Sequence, residues 1–253
     1  GCPFCCRWCA NPEGLDAKPQ RMFREKLCIH CTERVNGSCP NTPAQCPTGA
    51  LETVGKIRNT EDVFAEVRRD TVFYETTGGG VTLSGGEVLL YQEFAMELLE
   101  RCKKENIRTA METTLGCKLK DAKRLVNCTD TFLVDLKIYD AASSQQILHL
   151  DVELVKQNIR KLKKLGAKIV IRVPLIPGFT ATEENIRAIA EFMNEHDLRE
   201  AHLLPFHKLG ESKYEAIGKE YSLYELQPLS DDAIRNLTEP FIEYGIHTII
   251  GGE

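Results

Sequence analysis

Eight of the eleven cysteines fall within the first 46 residues: Cys2, Cys5, Cys6, Cys9, Cys28, Cys31, Cys39 and Cys46. Residues 1–55 also hold six of the 11 prolines, and proline removes backbone donors and interrupts periodicity, so this stretch reads as loop and small insert. A secreted disulfide scaffold is normally far shorter than 253 residues and carries an even cysteine count. Thiols clustered on a long chain point instead to metal ligation.

From about residue 56 the pattern changes to strands alternating with amphipathic helices. Val81–Ser84 reads as a strand ending at Gly85–Gly86. A helix over 91–104 follows, with Phe94, Leu98 and Cys102 on one face. The alternation continues through strand Ile107–Glu112, a helix near 119–126, strand Thr131–Leu136 and a helix over 151–165 that stops at Gly166. Strand Lys168–Val173, helix Thr182–Glu195, strand Ala201–Leu204, one long helix over 230–244 and strand Ile246–Ile250 complete it. About six such units imply an α/β fold with a parallel sheet, too few for a complete eight-stranded barrel.

Composition narrows the function classes. Hydrophobic residues make up 42 % and charged residues 27 %, and the net charge is −5 with no Lys/Arg cluster, so a nucleic-acid surface is not expected. No apolar run approaches bilayer length, so no membrane partner is expected either. No signal peptide is visible; the chain starts at Gly1–Cys2 rather than Met, and the expectation is that an upstream segment has been removed or omitted. Redox chemistry alone assigns it to the cytoplasm.

Three constellations carry chemistry. Cys2, Cys6 and Cys9 form a C-x3-C-x2-C unit that can hold three corners of a four-iron cube and leave one iron open; a zinc knuckle or a redox thiol group shares that spacing. Gly85–Gly86–Glu87 closes a strand, where glycines admit a ligand to the backbone and Glu87 offers a carboxylate to an ammonium group; a plain turn is the alternative. Cys28-x2-Cys31-x7-Cys39-x6-Cys46-Pro47 keeps the opening pair and closing Cys-Pro of a ferredoxin cluster with a stretched middle; a four-cysteine zinc site is the alternative. Cys102 and Cys128 read as core or structural, and Cys117 lies near a strand end.

GCPFCCRWCANPEG (1–14), GGGVTLSGGE (78–87), LVDLK (133–137), IRVPLIPGF (171–179) and LLPFHKLGESKY (203–214) together resemble the radical S-adenosylmethionine superfamily. The likeness is nearest to its glycyl-radical-enzyme activating enzymes, of the pyruvate formate-lyase activase type. The resemblance implies a partial (β/α)6-type barrel spanning 1–253, its first strand upstream of Gly1, with a cysteine-rich ferredoxin-like insert over 22–55. It makes Cys2, Cys6 and Cys9 the ligands of the cluster that binds S-adenosylmethionine, with Cys5 an extra. Trp8, Cys9 and Ala10 would lie against adenine, and Gly85, Gly86 and Glu87 would hold the amino group. Asp135, Leu136 and Lys137, with Arg172 and His207, would contact ribose and carboxylate. Glu112–Thr113 aligns with an acidic-Thr pair that in some members joins a monovalent cation site. Cys28, Cys31, Cys39 and Cys46 would ligate one auxiliary four-iron cluster.

The implied reaction is reductive cleavage of S-adenosylmethionine, the resulting 5′-deoxyadenosyl radical taking hydrogen from a backbone glycine of a partner enzyme. Flavodoxin or ferredoxin would donate the electron, and no side chain acts as acid, base or nucleophile. Two other functions fit part of the pattern: a radical S-adenosylmethionine enzyme acting on a small molecule or peptide, and a non-catalytic iron–sulfur or zinc protein.

Overall fold

The computed structural model describes residues 1–251, and the chain divides into two compact units. The first comprises Gly1–Cys2, Cys6–Ile57 and His207–Glu225. Its only regular pairing among the described residues is β1 (Gln20–Phe23) against β2 (Leu51–Val54), antiparallel from Gln20↔Val54 to Phe23↔Leu51. Met22, Ala50 and Leu51, each 1 % exposed, make a small apolar seam there. Prolines open the single turns Pro12–Gly14 and Pro43–Gln45, where their fixed φ suits a helix start and their missing donor costs nothing. A short helix, Glu211–Ala216, buries Tyr214 and Ala216.

The second unit comprises Pro3–Cys5, Arg58–Phe206 and Leu226–Glu253. It runs through α1 (Thr60–Val67), α2 (Thr71–Thr77), β3 (Gly80–Leu83), α3 (Gln92–Lys104), β4 (Arg108–Thr113), α4 (Ala122–Cys128) and β5 (Thr131–Asp135). It continues through α5 (Ala141–Leu148), α6 (Val152–Lys164), β6 (Ile169–Leu175), α7 (Glu183–Glu195) and β7 (Glu200–Pro205). Helices Asp231–Asn236 and Glu239–Glu243 lead to β8 (His247–Ile250). All six strands pair in parallel in the order β3-β4-β5-β6-β7-β8, the sequential winding of a barrel wall.

The two faces of that sheet differ. Met111, Phe132, Val134, Ile171, Val173, Ala201 and Leu203 are all fully buried on one face. They are the sheet side of a core that α3, α6 and α7 complete with Met96, Leu99, Val155, Ile159, Ile189 and Met193. Each Val, Leu, Ile, Phe or Met side chain among them contributes about 1.5–3 kcal/mol on leaving water. The other face keeps Ala110, Glu112, Leu133, Asp135, Arg172 and Leu204 only half-buried. Registered neighbours Glu112↔Leu133, Asp135↔Arg172 and Arg172↔His202 share that open face, because in a parallel pair side chains at one level point the same way.

The strand and helix expectations hold to within a few residues, with one correction. The single helix expected over 230–244 is two, because Pro240 cannot continue the ladder and instead sits in the first turn of Glu239–Glu243. Gly80 opens β3 under strict constraint, since a Cβ there would stand 2.1 Å from the Arg108 carbonyl oxygen. Cys102 is buried against Phe64, Leu98 and Ile107, and burial pushes its thiol up to about 11. Among the described residues no helix is long and apolar enough to cross a membrane.

Candidate functional site

On the open face of the sheet, β4, β5 and β6 bring a charged set together. The Arg172 guanidinium donates to Glu112 and stands 3.5 Å from Asp135 Oδ1, while Lys137 Nζ donates to Asp135 Oδ2 at 2.9 Å. Ser84, just past β3, donates to Glu112. Two cations and two carboxylates balance. Asp135 Oδ1, however, is buried with no hydrogen bond, only its ion-pair neighbour. A buried carboxylate oxygen normally has a donor, so this one is suited to a hydroxyl brought by a ligand. The DLK turn is held from behind by Asn185 at the start of α7, which donates to the Lys137 and Thr180 carbonyls and accepts from Tyr139 N–H.

Gly85 and Gly86 follow β3. Gly85 has φ +122°, a conformation that favours glycine, and a Cβ placed there would find open space within 4 Å. Glu87 is bonded within the protein. Its carboxylate is 2 % exposed and already accepts from Leu89 N–H, Thr113 Oγ1, Thr114 N–H and Thr114 Oγ1. The two hydroxyls accept in turn from Leu115 and Gly116 N–H. The carboxylate ties the end of β3 to the end of β4. Thr113, with its hydroxyl spent on Glu87, and Glu112, spent on Arg172, are likewise engaged with protein partners.

In the first unit, Cys2, Cys6, Trp8, Cys9 and Ala10 share one loop, tied by Cys2 N–H to the Leu15 carbonyl and Cys9 N–H to the Cys6 carbonyl. All three motif cysteines carry half-buried thiols outside any disulfide. Residues 207–225 brace this loop, which the sequence did not reveal. A Cβ on Gly210 would stand 2.9 Å from Ala10 Cα. Lys213 Nζ donates to Asn11 Oδ1 at 2.6 Å and pairs with Glu13 Oε1 at 2.8 Å, and Arg7 donates to Ser222. Tyr214 is buried close to Cys9 and Cys6; burial, then the Cys9 thiol, pushes its phenol up. His207 is exposed, and its Nδ1 accepts from Leu209 N–H, leaving Nε2 for a ligand. Lys213→Met is expected to cost about 1 kcal/mol after solvent screening, a thermal midpoint lower by roughly 2–4 °C, with Lys213→Arg recovering most of it. Differential scanning calorimetry reads the shift.

Cys5, the extra thiol, bonds elsewhere: its N–H donates to the Leu148 carbonyl and its Sγ lies 3.4 Å from His149 Nδ1. In the insert, three of the four cysteine sulfurs accept N–H groups: Cys28 from His30 N–H at 3.4 Å, Cys31 from Asn41 Nδ2 at 3.7 Å and Cys46 from Leu51 N–H at 3.3 Å. The Leu51 amide in particular holds the Cys46 thiol below its usual range. Donors aimed at sulfur favour thiolate, the ligating form, so the donor chemistry suits a thiolate-bound group. Among the described residues no three Cys, His, Asp or Glu side chains converge on a point that could hold a single metal ion.

Comparison with known proteins follows the same lines. The family model for the radical SAM superfamily matches residues 1–193. The pyruvate formate-lyase 2-activating enzyme of Escherichia coli K12 is 37 % identical over 252 residues, covering 100 % of this chain and 85 % of that protein. The choline trimethylamine-lyase activating enzyme of Oleidesulfovibrio alaskensis is 34 % identical, covering 91 % and 84 %. The trans-4-hydroxy-L-proline dehydratase activating enzyme of Clostridioides difficile is 32 % identical, covering 100 % and 91 %. Among solved structures, a domain of a pyruvate-formate lyase-activating enzyme from Bacteroides vulgatus superposes with TM-score 0.57 at 31 % identity, over 69 % of this chain and 99 % of that one.

Proposed function

The chain belongs to the radical SAM superfamily, among the glycyl-radical-enzyme activating enzymes, and on that premise we propose how its residues divide the work. Cys2, Cys6 and Cys9 would hold the four-iron cluster at which S-adenosylmethionine binds. When bound, that cluster would supply the one electron for reductive cleavage of S-adenosylmethionine to methionine and a 5′-deoxyadenosyl radical, which would take one hydrogen atom from a glycine of the partner.

The observation that carries the residue assignment is the charged set on the sheet's open face, with its buried, hydrogen-bond-deficient Asp135 Oδ1. Asp135 accepts from a ribose hydroxyl, and Lys137 and Arg172 meet the ligand's carboxylate. Gly85 and Gly86 admit its amino end to the backbone, and Glu87 fixes the shape of that backbone through Thr113 and Thr114. Trp8, Cys9 and Ala10 lie against the adenine, and His207 offers Nε2. A balanced charge set needs little rearrangement when a zwitterionic ligand arrives, because each of its charges finds an opposite one.

Cys28, Cys31, Cys39 and Cys46 hold an auxiliary four-iron cluster, supported by the N–H donors on three of the sulfurs. An anaerobically loaded chain is expected to carry about eight irons, falling to about four in a Cys39→Ser/Cys46→Ser variant. Bound zinc with only four irons would overturn this assignment. The partner is a glycyl radical enzyme, the electron donor a flavodoxin or ferredoxin, and the compartment the cytoplasm, whose reducing poise preserves the thiolates. The test of the whole reading is 5′-deoxyadenosine formation on addition of reductant and S-adenosylmethionine, followed by a glycyl radical signal on a purified partner.

A further inference from the structure

The open face of the sheet carries one polar pair that the cofactor assignment leaves unused. His202 on β7 is the registered neighbour of Arg172 on β6, at the level of Asp135 on β5. It therefore points to the same face as the charged set. His202 is 8 % exposed, and its Nε2 lies 3.2 Å from Glu200 Oε1, two residues back on the same strand and same face. A carboxylate can only accept, so Nε2 carries the hydrogen, and in the neutral ring Nδ1 is then the acceptor. Among the described residues the Glu200 contact is the only hydrogen bond recorded for the ring.

The two sides of this face differ in chemistry. On β4, β5 and β6 the polar groups are fully charged and bonded to each other. On β7 and β8, His202 is flanked at its own level by Ile249 and followed on its own face by Leu204. Charged groups suit a zwitterionic nucleoside; an imidazole oriented by Glu200, with Arg172 on one side and Ile249 and Leu204 on the others, still offers one neutral ring nitrogen to an uncharged amide. The second reactant is a polypeptide whose glycine offers no side chain to grip, so only its backbone N–H and C=O groups can fix its position.

We propose that His202 positions the protein substrate, its Nδ1 accepting a hydrogen bond from a backbone N–H of the partner's glycine segment while Glu200 fixes the ring. This rests on the glycyl-radical-activating reading above.

The test compares wild type, His202→Ala, His202→Gln and Glu200→Gln, each reconstituted anaerobically. The probes are the purified lyase and dehydratase partners of the relatives. In His202→Ala, S-adenosylmethionine binding and partner-free deoxyadenosine formation should stay within about twofold of wild type, while the glycyl radical rate at low partner concentration falls at least tenfold. Deoxyadenosine formed per glycyl radical should rise, because a misplaced glycine lets the radical be quenched elsewhere. His202→Gln, which keeps an acceptor, should recover most of the yield, and Glu200→Gln should lie between. A parallel loss of partner-free deoxyadenosine would assign His202 to the cofactor or the fold, and unchanged glycyl radical kinetics would remove its role; either overturns the proposal. Wild type that makes deoxyadenosine but no glycyl radical on any probe would instead overturn the parent reading, and this one with it.

Discussion

A Cys6→Ala variant should form 5′-deoxyadenosine at least about 1000-fold more slowly than wild type, with its thermal midpoint within roughly 2 °C. Two thiolates cannot hold three corners of a four-iron cube, so the loss is of the group that carries the hard chemistry rather than of the fold. The loop around Cys6 is tied by backbone bonds and by Lys213 to Asn11 and Glu13, none of which uses the Cys6 side chain. Cys5→Ala is the control: its sulfur meets His149, so cluster and turnover should survive. Iron content, the cluster's visible absorption and deoxyadenosine yield read the pair. A Cys6→Ala protein that keeps full iron and turnover would take Cys6 out of the ligand set.

Glu87→Ala should be the most destabilising single change on the sheet's open end, costing about 3 kcal/mol and lowering the midpoint by roughly 6–12 °C. The buried carboxylate satisfies two backbone amides and two hydroxyls, and alanine leaves the Leu89 and Thr114 amides without an acceptor in a site too buried for easy hydration. Glu87→Gln keeps one acceptor oxygen but turns an amide donor toward the others, so it should fall roughly midway. Calorimetry, paired with S-adenosylmethionine affinity, separates the two roles open to this residue. Structural anchoring predicts that stability falls first. A variant of wild-type stability with lost affinity would restore the ammonium contact that the residue pattern alone suggests.

How much of this was legible in the residues follows the range of the interactions. The strand–helix alternation and its parallel sheet are local and periodic, and they were readable. α2 was not, because its Thr, Val, Phe and Tyr run has strand-like propensity, and the helix is ended by Gly78 in the left-handed region. α5 was hidden because it buries only Ser144 and Leu148 and so shows no apolar stripe. The motifs named Asp135, Lys137 and Arg172 by type, yet not their bonding: Arg172 meets Glu112 across 60 residues, Glu87 meets Thr113 and Thr114 across 26 and 27, and Lys213 reaches Glu13 across 200. Such contacts depend on which strands become neighbours, and no spacing rule encodes them. The bonding of Glu87 to Thr113 and Thr114, and the places of Asn185, Lys213 and His202, depend on such contacts and carry no local signal.

The most direct measurement is isotopic. A glycyl radical enzyme partner labelled with dideuterated glycine is incubated anaerobically with the loaded chain, reductant and S-adenosylmethionine, and the deoxyadenosine is weighed by mass spectrometry. Hydrogen transfer from a backbone glycine predicts one deuterium in the product, together with a glycyl radical signal on the partner. Deoxyadenosine without deuterium, at any partner concentration, would mean that the radical takes its hydrogen elsewhere and would contradict the assignment.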